Sequence, residues 1–359
     1  MFACFIDFEK AFDNVKHDTL VQILEDVGLD YKDVRLIKNL YWQQTAQIRV
    51  DGSVSKSIPV QKGVRQGCPL SPVLFNLYSE QVFKEALGSC DMGIRVNGTP
   101  ISNLRYADDT VLLANSPAEL QSLVDRVVAA CHQYGLRINV SKTKVMAVSK
   151  SGRKQCDVEV MGRPLEQVDR FKYLGQLVSA DWSLQGELRA RIEIARAAFN
   201  KMRRFLCSRD VRFSLRWRMV KCYILSILTY GVESWTLKAA DVNRLEAFEM
   251  WLIRRMLRIP WTARLRNDYI LQQNNITREL LNTIKRRKVA YLGHIMRNPK
   301  YELLQTIMMG KIAGRRGVGR RRASWLQNIR QWTGITRAAE LFQLARDRER
   351  FSEVVANLR

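Results

Sequence analysis

Two adjacent aspartates between apolar stretches constrain the fold of this chain more than any other feature. In the segment RYADDTVLLA, Asp108 and Asp109 follow Tyr106–Ala107 and precede the apolar run VLLA. Such a run is typical of a buried strand, so the pair lies where two strands turn. A solvated turn is one interpretation, since aspartate is common in turns. Carboxylates held together repel, however, and favour their protonated forms unless positive charge is near. A bound divalent cation would supply that charge.

A third carboxylate follows the first predicted strand of the chain. In the segment FACFIDF, Asp7 comes after Phe5–Ile6 and is expected at the C-terminal edge of that strand. A strand-end aspartate beside an Asp–Asp turn could hold two Mg²⁺ ions with oxygen ligands alone. A metal pair about 3.5–4 Å apart stabilises both the attacking and the leaving oxygen of phosphoryl transfer. The three carboxylates therefore predict metal-assisted phosphoryl transfer, which requires no nucleophilic Ser or Cys.

The first half of the chain mixes short strands with helices. The segment around Asp51–Gly52 alternates apolar and polar residues and predicts a hairpin, and Asn97–Gly98 predicts another turn. A helix with an apolar stripe is expected from LSPVLFNLYSEQVFKEAL, and a second helix is expected to begin at Ser116–Pro117. This pattern is typical of the α+β class, with an antiparallel sheet and packed helices.

The second half is predicted to be helical. From about residue 182, apolar residues recur at helical spacing, and two more apolar helices are expected near 214–235 and 241–258. Further helix follows from TRELLNTIKRRKVAYLGHIM, and GKIAGRRGVGRRRASW predicts a basic loop.

Charge divides the chain in the same place. Residues 1–180 contain 22 Lys or Arg and 20 Asp or Glu, whereas the remaining residues contain 37 and 15, a net charge of +22. The first half is typical of a balanced globular domain. The second half predicts a surface for polyanions, most often nucleic acid. The longest apolar stretch is too short to span a bilayer. A membrane surface is the alternative polyanion, but no lipidation motif or terminal amphipathic anchor is obvious, so no membrane partner is expected.

Five segments in order resemble a known family. DFEKAFD resembles the first metal-binding motif of the non-LTR (LINE-like) retrotransposon reverse transcriptases, and RQGCPLSPVLFN resembles their nucleotide-positioning motif. YADD resembles the second metal motif, GLRINVSKTKVM the fourth block and FKYLG the primer grip. The resemblance implies a polymerase palm over 1–180, an all-helical thumb over 181–259 and a basic helical C-terminal region over 260–359.

The resemblance also implies the roles of individual residues. Asp7 and Asp108 would be the principal metal ligands, with Asp109 in support and the Phe8 carbonyl as a further ligand. Two Mg²⁺ ions are implied, and Mn²⁺ is an alternative. The nucleotide-binding residues would be Phe12, as a ring that excludes a 2′-hydroxyl or simply as a core aromatic, together with Gln66, Gly67 and Lys142. Lys142, or alternatively Lys144, would donate a proton to departing pyrophosphate. The primer grip would consist of Tyr173, Leu174 and Gly175.

The basic half predicts contacts to duplex backbone. The candidates on the first thumb helix and in the basic loop are Arg189, Arg191, Arg196, Arg203, Arg204, Arg320, Arg321 and Arg322. Trp325 beside that loop could stack on a base. The other tryptophans of this half, Trp217, Trp235, Trp251 and Trp261, are expected in helix packing.

The resulting hypothesis is an RNA-directed DNA polymerase that uses an RNA template, a DNA primer and dNTPs inside the cell, in the nucleus. The family's basic fingers region, which precedes the first metal motif, has no counterpart here. We therefore expect an N-terminally truncated fragment or decayed copy with little activity alone. Two alternatives stay open, a catalytically inactive nucleic-acid-binding protein and a protein like the group II intron maturases. The sequence does not predict an oligomeric state.

Overall fold

A computed structural model describes residues 1–42, 44–149, 154–310 and 323–358. Two compact units make up the chain, Met1–Trp182 and Ser183–Arg359. The first contains strands and helices, and the described part of the second contains helices. The α+β class predicted for the fold is confirmed.

Strands of the first unit are mostly short. In chain order they are β1 Phe2–Ile6, β2 Thr45–Ala46, β3 Arg49–Val50, β4 Ser53–Val54, β5 Ile58–Pro59, β6 Ile94–Val96, β7 Thr99–Ile101, β8 Asn103–Tyr106, β9 Asp109–Ala114, β10 Lys144–Ala147, β11 Glu159–Val160, β12 Arg163–Pro164, β13 Glu166–Gln167, β14 Arg170–Tyr173 and β15 Gln176–Ser179. Five of them form the central sheet, in the order β13-β10-β1-β9-β8, and all its pairs are antiparallel except β10 with β13.

Strand β1 lies in the middle of this sheet and is buried along its whole length. Cys4 and Ile6 face the main core, in which helices pack, whereas Ala3 and Phe5 face a smaller cluster that includes Phe171. Because successive side chains of a strand point to opposite faces, a strand covered on both faces is continuously apolar. That explains why FACFI shows no alternation.

The helices of the first unit are α1 His17–Asp26, α2 Tyr31–Tyr41, α3 Ser71–Leu87 and α4 Pro117–Gln133, with a 3-10 turn at Ala11–Asn14. Helix α4 begins as predicted, because the hydroxyl of Ser116 accepts a hydrogen bond from the Glu119 amide and Pro117 occupies the first turn. The predicted hairpins at Asp51–Gly52 and Asn97–Gly98 are also confirmed, with positive φ at all four residues.

The second unit comprises α5 Leu184–Lys201, α6 Arg203–Leu206, α7 Phe213–Met219, α8 Ser226–Leu228, α9 Ala239–Leu257, α10 Asn267–Gln273, α11 Leu280–Arg297, α12 Glu302–Met309, α13 Trp325–Thr333, α14 Ala338–Arg346 and α15 Arg348–Ala356. The single helix expected near 214–235 is instead α7, a π-helical turn at Val220–Leu225, and α8. No described helix has both the length and the apolar composition needed to cross a bilayer.

Helix α11 contributes to both cores of the second unit. Leu280 and Ile284 join the core that includes Leu188 and Phe248, while Val289 and Leu292 join the core that contains α13–α15. The first of these cores therefore draws residues from both sides of the boundary predicted at 259/260. The three-part division and the functional names of its parts stay predictions.

Candidate active site

Pairing between β1 and β9 determines where the acidic residues lie. Ile6 is opposite Thr110 in this antiparallel pair, so the next residues along each strand, Asp7 and Asp109, continue the same alignment at the end of the sheet. Directly paired residues of antiparallel strands have Cα atoms about 4.5–5.5 Å apart. Asp108 occupies the turn that joins β8 to β9, beside Asp109. Strand pairing thus brings three carboxylates to one end of the sheet, which we call the carboxylate edge.

The turn that carries Asp108 is tight. Tyr106 pairs with Asp109, which leaves Ala107 and Asp108 as a two-residue loop. Ala107 has a φ of 54°, in the left-handed region that side chains other than glycine rarely adopt. The chain therefore accepts local backbone strain where it exposes Asp108 and Asp109 to solvent.

Electrostatics at the carboxylate edge are unfavourable for negative charge. The pKa of Asp109 is raised by burial first, and then by the negative charges of Asp108 and Asp7. One oxygen of Asp7, Oδ1, is buried and forms no hydrogen bond within the described residues. The Lys142 ammonium lies 3.7 Å from this oxygen. Among the described ion pairs, the one that involves Asp7 is therefore with the exposed ammonium of Lys142.

Backbone contacts bring Lys142 to Asp7. The Asp7 carbonyl accepts a hydrogen bond from the Asn139 amide at 2.8 Å, and the Asp7 amide donates to the Thr143 hydroxyl at 3.2 Å. Lys144 behaves differently, because its ammonium binds the Glu166 carboxylate at 2.7 Å on the neighbouring strand. Of the two lysines considered as proton donors, Lys142 is the one that faces the carboxylates.

The hairpin β14–β15 packs beside the carboxylate edge. Leu174 and Gly175 form its two-residue turn, with φ values of 45° and 75°. The Tyr173 ring lies 5.6 Å from Phe5, and its hydroxyl donates to the Asp109 carbonyl at 3.5 Å. Burial, followed by the charge of Asp109, raises the pKa of Tyr173 to about 12. The structure thus joins the predicted primer grip to one of the predicted metal ligands.

The residues predicted to bind the nucleotide are held by different contacts. Phe12 is half-buried and stacks on Phe75, with ring centroids 4.4 Å apart, so it forms part of the core wall. Gln66 is exposed in the turn before α3. Gly67 has a φ of 80°, which explains glycine there, and a side chain at this position would meet open space. No described hydrogen bond or ion pair joins these three residues to the carboxylate edge.

The carboxylate edge fits a divalent cation in part. The unbonded Asp7 oxygen and the raised pKa of Asp109 are both expected where a cation is required. Carboxylate and carbonyl oxygens, such as that of Phe8, are the ligands that Mg²⁺ prefers. Within the described ranges, however, no three His, Cys, Asp or Glu side chains are arranged as a metal-binding group. Asp7, Asp108 and Asp109 are the residues that would hold the ion.

The arginines predicted to bind nucleic acid differ in exposure. Arg189, Arg203 and Arg204 are exposed, and Arg196 is half-buried and pairs with Glu193 at 2.8 Å. Arg191 has to be removed from this set: its side chain is 11% exposed, binds Glu187 at 2.6 Å and packs over the Tyr230 ring. The remaining candidates, Arg320, Arg321 and Arg322, lie outside the described residues.

Two expectations about tryptophans require correction. Trp325 is not free beside the basic loop, because it is half-buried, its indole N–H donates to the Glu233 carbonyl at 2.6 Å, and the Lys288 ammonium lies 5.4 Å from its ring. Trp261 was expected in helix packing, and Trp217 and Trp235 are indeed buried, but Trp261 is 87% exposed. The overlooked signal is the surrounding segment RRMLRIPWTARLR, which contains five arginines and no acidic residue.

Comparison with known proteins adds independent information. Residues 2–178 match the family model described as reverse transcriptase (RNA-dependent DNA polymerase). An uncharacterised transposon-derived protein of Caenorhabditis elegans is 32% identical over 212 residues, which cover 57% of this chain and 75% of that protein. The Pol polyprotein of an R2 retrotransposable element of Drosophila melanogaster is 28% identical over 187 residues, 48% of this chain and 17% of the polyprotein.

Similarity to solved structures is more distant. Apo telomerase of Candida tropicalis has a TM-score of 0.41 and 15% identity, over 87% of this chain and 53% of the telomerase. Among the sequence relatives, this chain spans 75% of the nematode protein and 17% of the R2 polyprotein.

Proposed function

The chain belongs to the non-LTR retrotransposon reverse transcriptases, and from that premise we propose that it copies RNA into DNA by two-metal nucleotidyl transfer. The observation that carries the proposal is the β1–β9 pairing, which aligns Asp7 with Asp109 beside Asp108. These carboxylates come from segments about a hundred residues apart in the chain.

Asp7 and Asp108 are the proposed principal ligands, with Asp109 in support and the Phe8 carbonyl as a further oxygen. Reverse transcriptases as a family use divalent metal ions. Bound Mg²⁺, or Mn²⁺, would neutralise charge on the phosphates and activate the attacking oxygen. The protein's own contribution is to keep the carboxylates aligned, and the pairing of β1 between two strands supports that role.

The remaining site residues are proposed to contact or orient the substrates. Lys142 lies 3.7 Å from Asp7, close enough to the proposed reaction centre to donate a proton to departing pyrophosphate. The Phe12 ring, fixed on Phe75, would exclude a 2′-hydroxyl and so favour dNTPs. Gly67 leaves room for close approach of the nucleotide, beside Gln66. The Tyr173–Gly175 turn, next to Asp109, would hold the primer end.

The proposed partners are an RNA template paired with a DNA primer. Exposed Arg189, Arg203 and Arg204, with Arg196, would contact phosphates of that duplex regardless of its sequence. Because the proposed product is DNA made for a genome, we propose the nucleus as the place of action. A fluorescent fusion of the full chain expressed in cells tests that location.

Primer extension tests the polymerase proposal. The full chain is incubated with poly(rA)/oligo(dT), Mg²⁺ and dTTP, and incorporation is compared between the native protein, Asp108→Ala and Asp33→Ala. Asp33 is an exposed aspartate on α2, outside the carboxylate edge. We expect Asp108→Ala to lower incorporation at least about a hundredfold, since its carboxylate would hold the metal ion that stabilises negative charge in the transition state. Asp33→Ala should retain native incorporation.

Two results would contradict the proposal. The first is extension by Asp108→Ala at the native rate. The second is no incorporation by native protein that still binds the duplex with a steep dependence on salt, which would identify a catalytically inactive nucleic-acid-binding protein.

A further inference from the structure

A groove lined by arginines crosses the surface of the second unit. One cavity of about 930 Å³ is lined by ten residues, of which five are arginines and none is acidic: Arg203, Arg204, Arg254, Arg255 and Arg258. A second cavity of about 650 Å³ shares Arg254 and Trp261 with the first and adds Arg264 and Arg266. Its one acidic residue, Asp268, lies 4.0 Å from Arg278. The two cavities form one basic surface, here called the arginine groove.

Several arginines of the groove form no ion pair within the described part of the protein. Arg203, Arg204, Arg264 and Arg266 are exposed, and none of them forms an ion pair with a described residue. Guanidinium groups gathered without acidic partners repel one another, so the cluster lowers rather than raises the stability of the fold. A ligand that carries several negative charges would remove that repulsion.

Trp261 stands between the two cavities and lines both of them. It follows Pro260 and begins the 3-10 turn Trp261–Ala263, and 87% of its surface is exposed. A large aromatic ring normally contributes to stability by burial, and this ring does not. Its flat face is therefore available to stack on a ligand.

Two arginines hold the loop that carries this ring. The Arg254 guanidinium donates to the Leu265 carbonyl at 2.6 Å and to the Asn267 side chain at 2.9 Å. Arg258 donates to the Cys207 carbonyl at 2.8 Å and has a φ of 57°. The loop is thus fastened on both sides of Trp261, and a ligand would meet a ring already in position.

We propose that the arginine groove, which shares Arg203 and Arg204 with the proposed duplex contacts, also binds an unpaired strand, with phosphates on the arginines and a base stacked on Trp261. Aromatic stacking needs an accessible base face, and bases inside a duplex offer none along the helix. Arginine binds phosphate and also stacks on bases, which suits the same ligand. This site goes beyond the polymerase proposal and does not depend on the carboxylate edge.

Fluorescence anisotropy with the full chain tests the proposal. The probes are labelled oligo(U) and oligo(dT) of about 20 nucleotides, and a duplex of the same length. We expect Trp261→Ala to weaken binding of both single strands about tenfold and Trp261→Phe to weaken it less, because stacking on an aromatic ring contributes that much per base. Duplex binding should change less than about twofold. Trp182→Ala is the matched control, since Trp182 is 65% exposed and lines neither cavity.

Salt dependence tests the arginines separately. The double variant Arg264→Gln/Arg266→Gln should lower the slope of log Kd against log salt for oligo(U) by about 1.4, because each phosphate contact on a single strand contributes about 0.7. The control pair Arg346→Gln/Arg348→Gln, exposed arginines elsewhere in the unit, should leave the slope unchanged.

Native affinity of Trp261→Ala for both single strands, or an equal loss for single strands and duplex, would overturn the proposal. Asp108→Ala should bind oligo(U) like the native chain, so a failure of the polymerase proposal leaves this measurement intact.

Discussion

The carboxylate edge and the arginine groove both gather like charges, but they are built in different ways. In the first unit, hydrogen-bonded strand pairing aligns Asp7 with Asp109. In the second unit, arginines from α6, from α9 and from the loop that follows α9 are brought together by the packing of helices. Each cluster is electrostatically unfavourable alone. The sign of the charge then indicates the ligand: a cation at the first, phosphates at the second.

If the carboxylate edge binds a cation, the negative charge of its side chains matters more than their size. Asp7→Asn keeps the size of the side chain and removes one negative charge, so we expect primer extension to fall at least about a hundredfold. Duplex binding, which we propose depends on arginines of the other unit, should stay within about twofold. Asp33→Asn is the control, and gel-based extension with a labelled primer is the measurement. Extension by Asp7→Asn above a tenth of the native rate would show that Asp7 is not a required ligand.

Lys288 differs from the exposed arginines of the groove, because the second unit buries this positively charged side chain. Its side chain is fully buried, its ammonium donates to the Trp235 carbonyl and, at 3.3 Å, to Asn328, and the rings of Trp325 and Trp332 lie within 5.4 Å. Burial lowers the pKa of Lys288 to about 7, against 10.5 in an unfolded chain. Between those values the unfolded chain binds more protons than the folded one.

The free energy of unfolding should therefore be lowest below pH 7 and rise by roughly 2 to 5 kcal/mol up to pH 10.5. Lys288→Met, which preserves the packing of the stem, should lack this rise. Urea unfolding followed by circular dichroism at pH 6, 8 and 10 measures both proteins. Parallel pH profiles for the native chain and Lys288→Met would contradict the assignment.

The smallest effects are expected from Arg189 and Arg191, which lie on the same helix, α5, but differ in exposure. Arg189 is exposed, so Arg189→Gln should lower the salt slope of duplex binding by about 0.9 and leave stability unchanged. Arg191→Gln should keep that slope but lower the free energy of unfolding by about 3 kcal/mol, since it removes the positive charge that pairs with the buried Glu187 carboxylate. The same effect of both variants on the slope would show that burial does not separate their roles.

Sequence reasoning succeeded where strand order and turn chemistry decide the structure. The convergence of Asp7 with Asp108 and Asp109 could be expected because a strand end and a hairpin turn meet at one edge of a sheet. The positive φ values at Asn97 and Gly98 follow from the residues themselves.

The sequence was less informative where the packing of helices determines how exposed a side chain is. Helical spacing puts Arg189 and Arg191 on opposite sides of the apolar stripe, and it does not reveal that Arg191 packs over the Tyr230 ring beside Glu187. Trp261 was misjudged because tryptophan is usually well buried, whereas in the basic segment RRMLRIPWTARLR its ring is exposed. The roles of the site residues remain predictions for the experiments described above.

The central place of β1 has a consequence for how copies of such an element lose function. Because alternate side chains of a strand point to opposite faces, a one-codon insertion or deletion within Phe2–Ile6 would turn Asp7 toward the wrong side of the sheet. Every acidic residue and every sequence motif would still be present. A genome searched by motif alone would therefore overcount the copies that still contain a working centre.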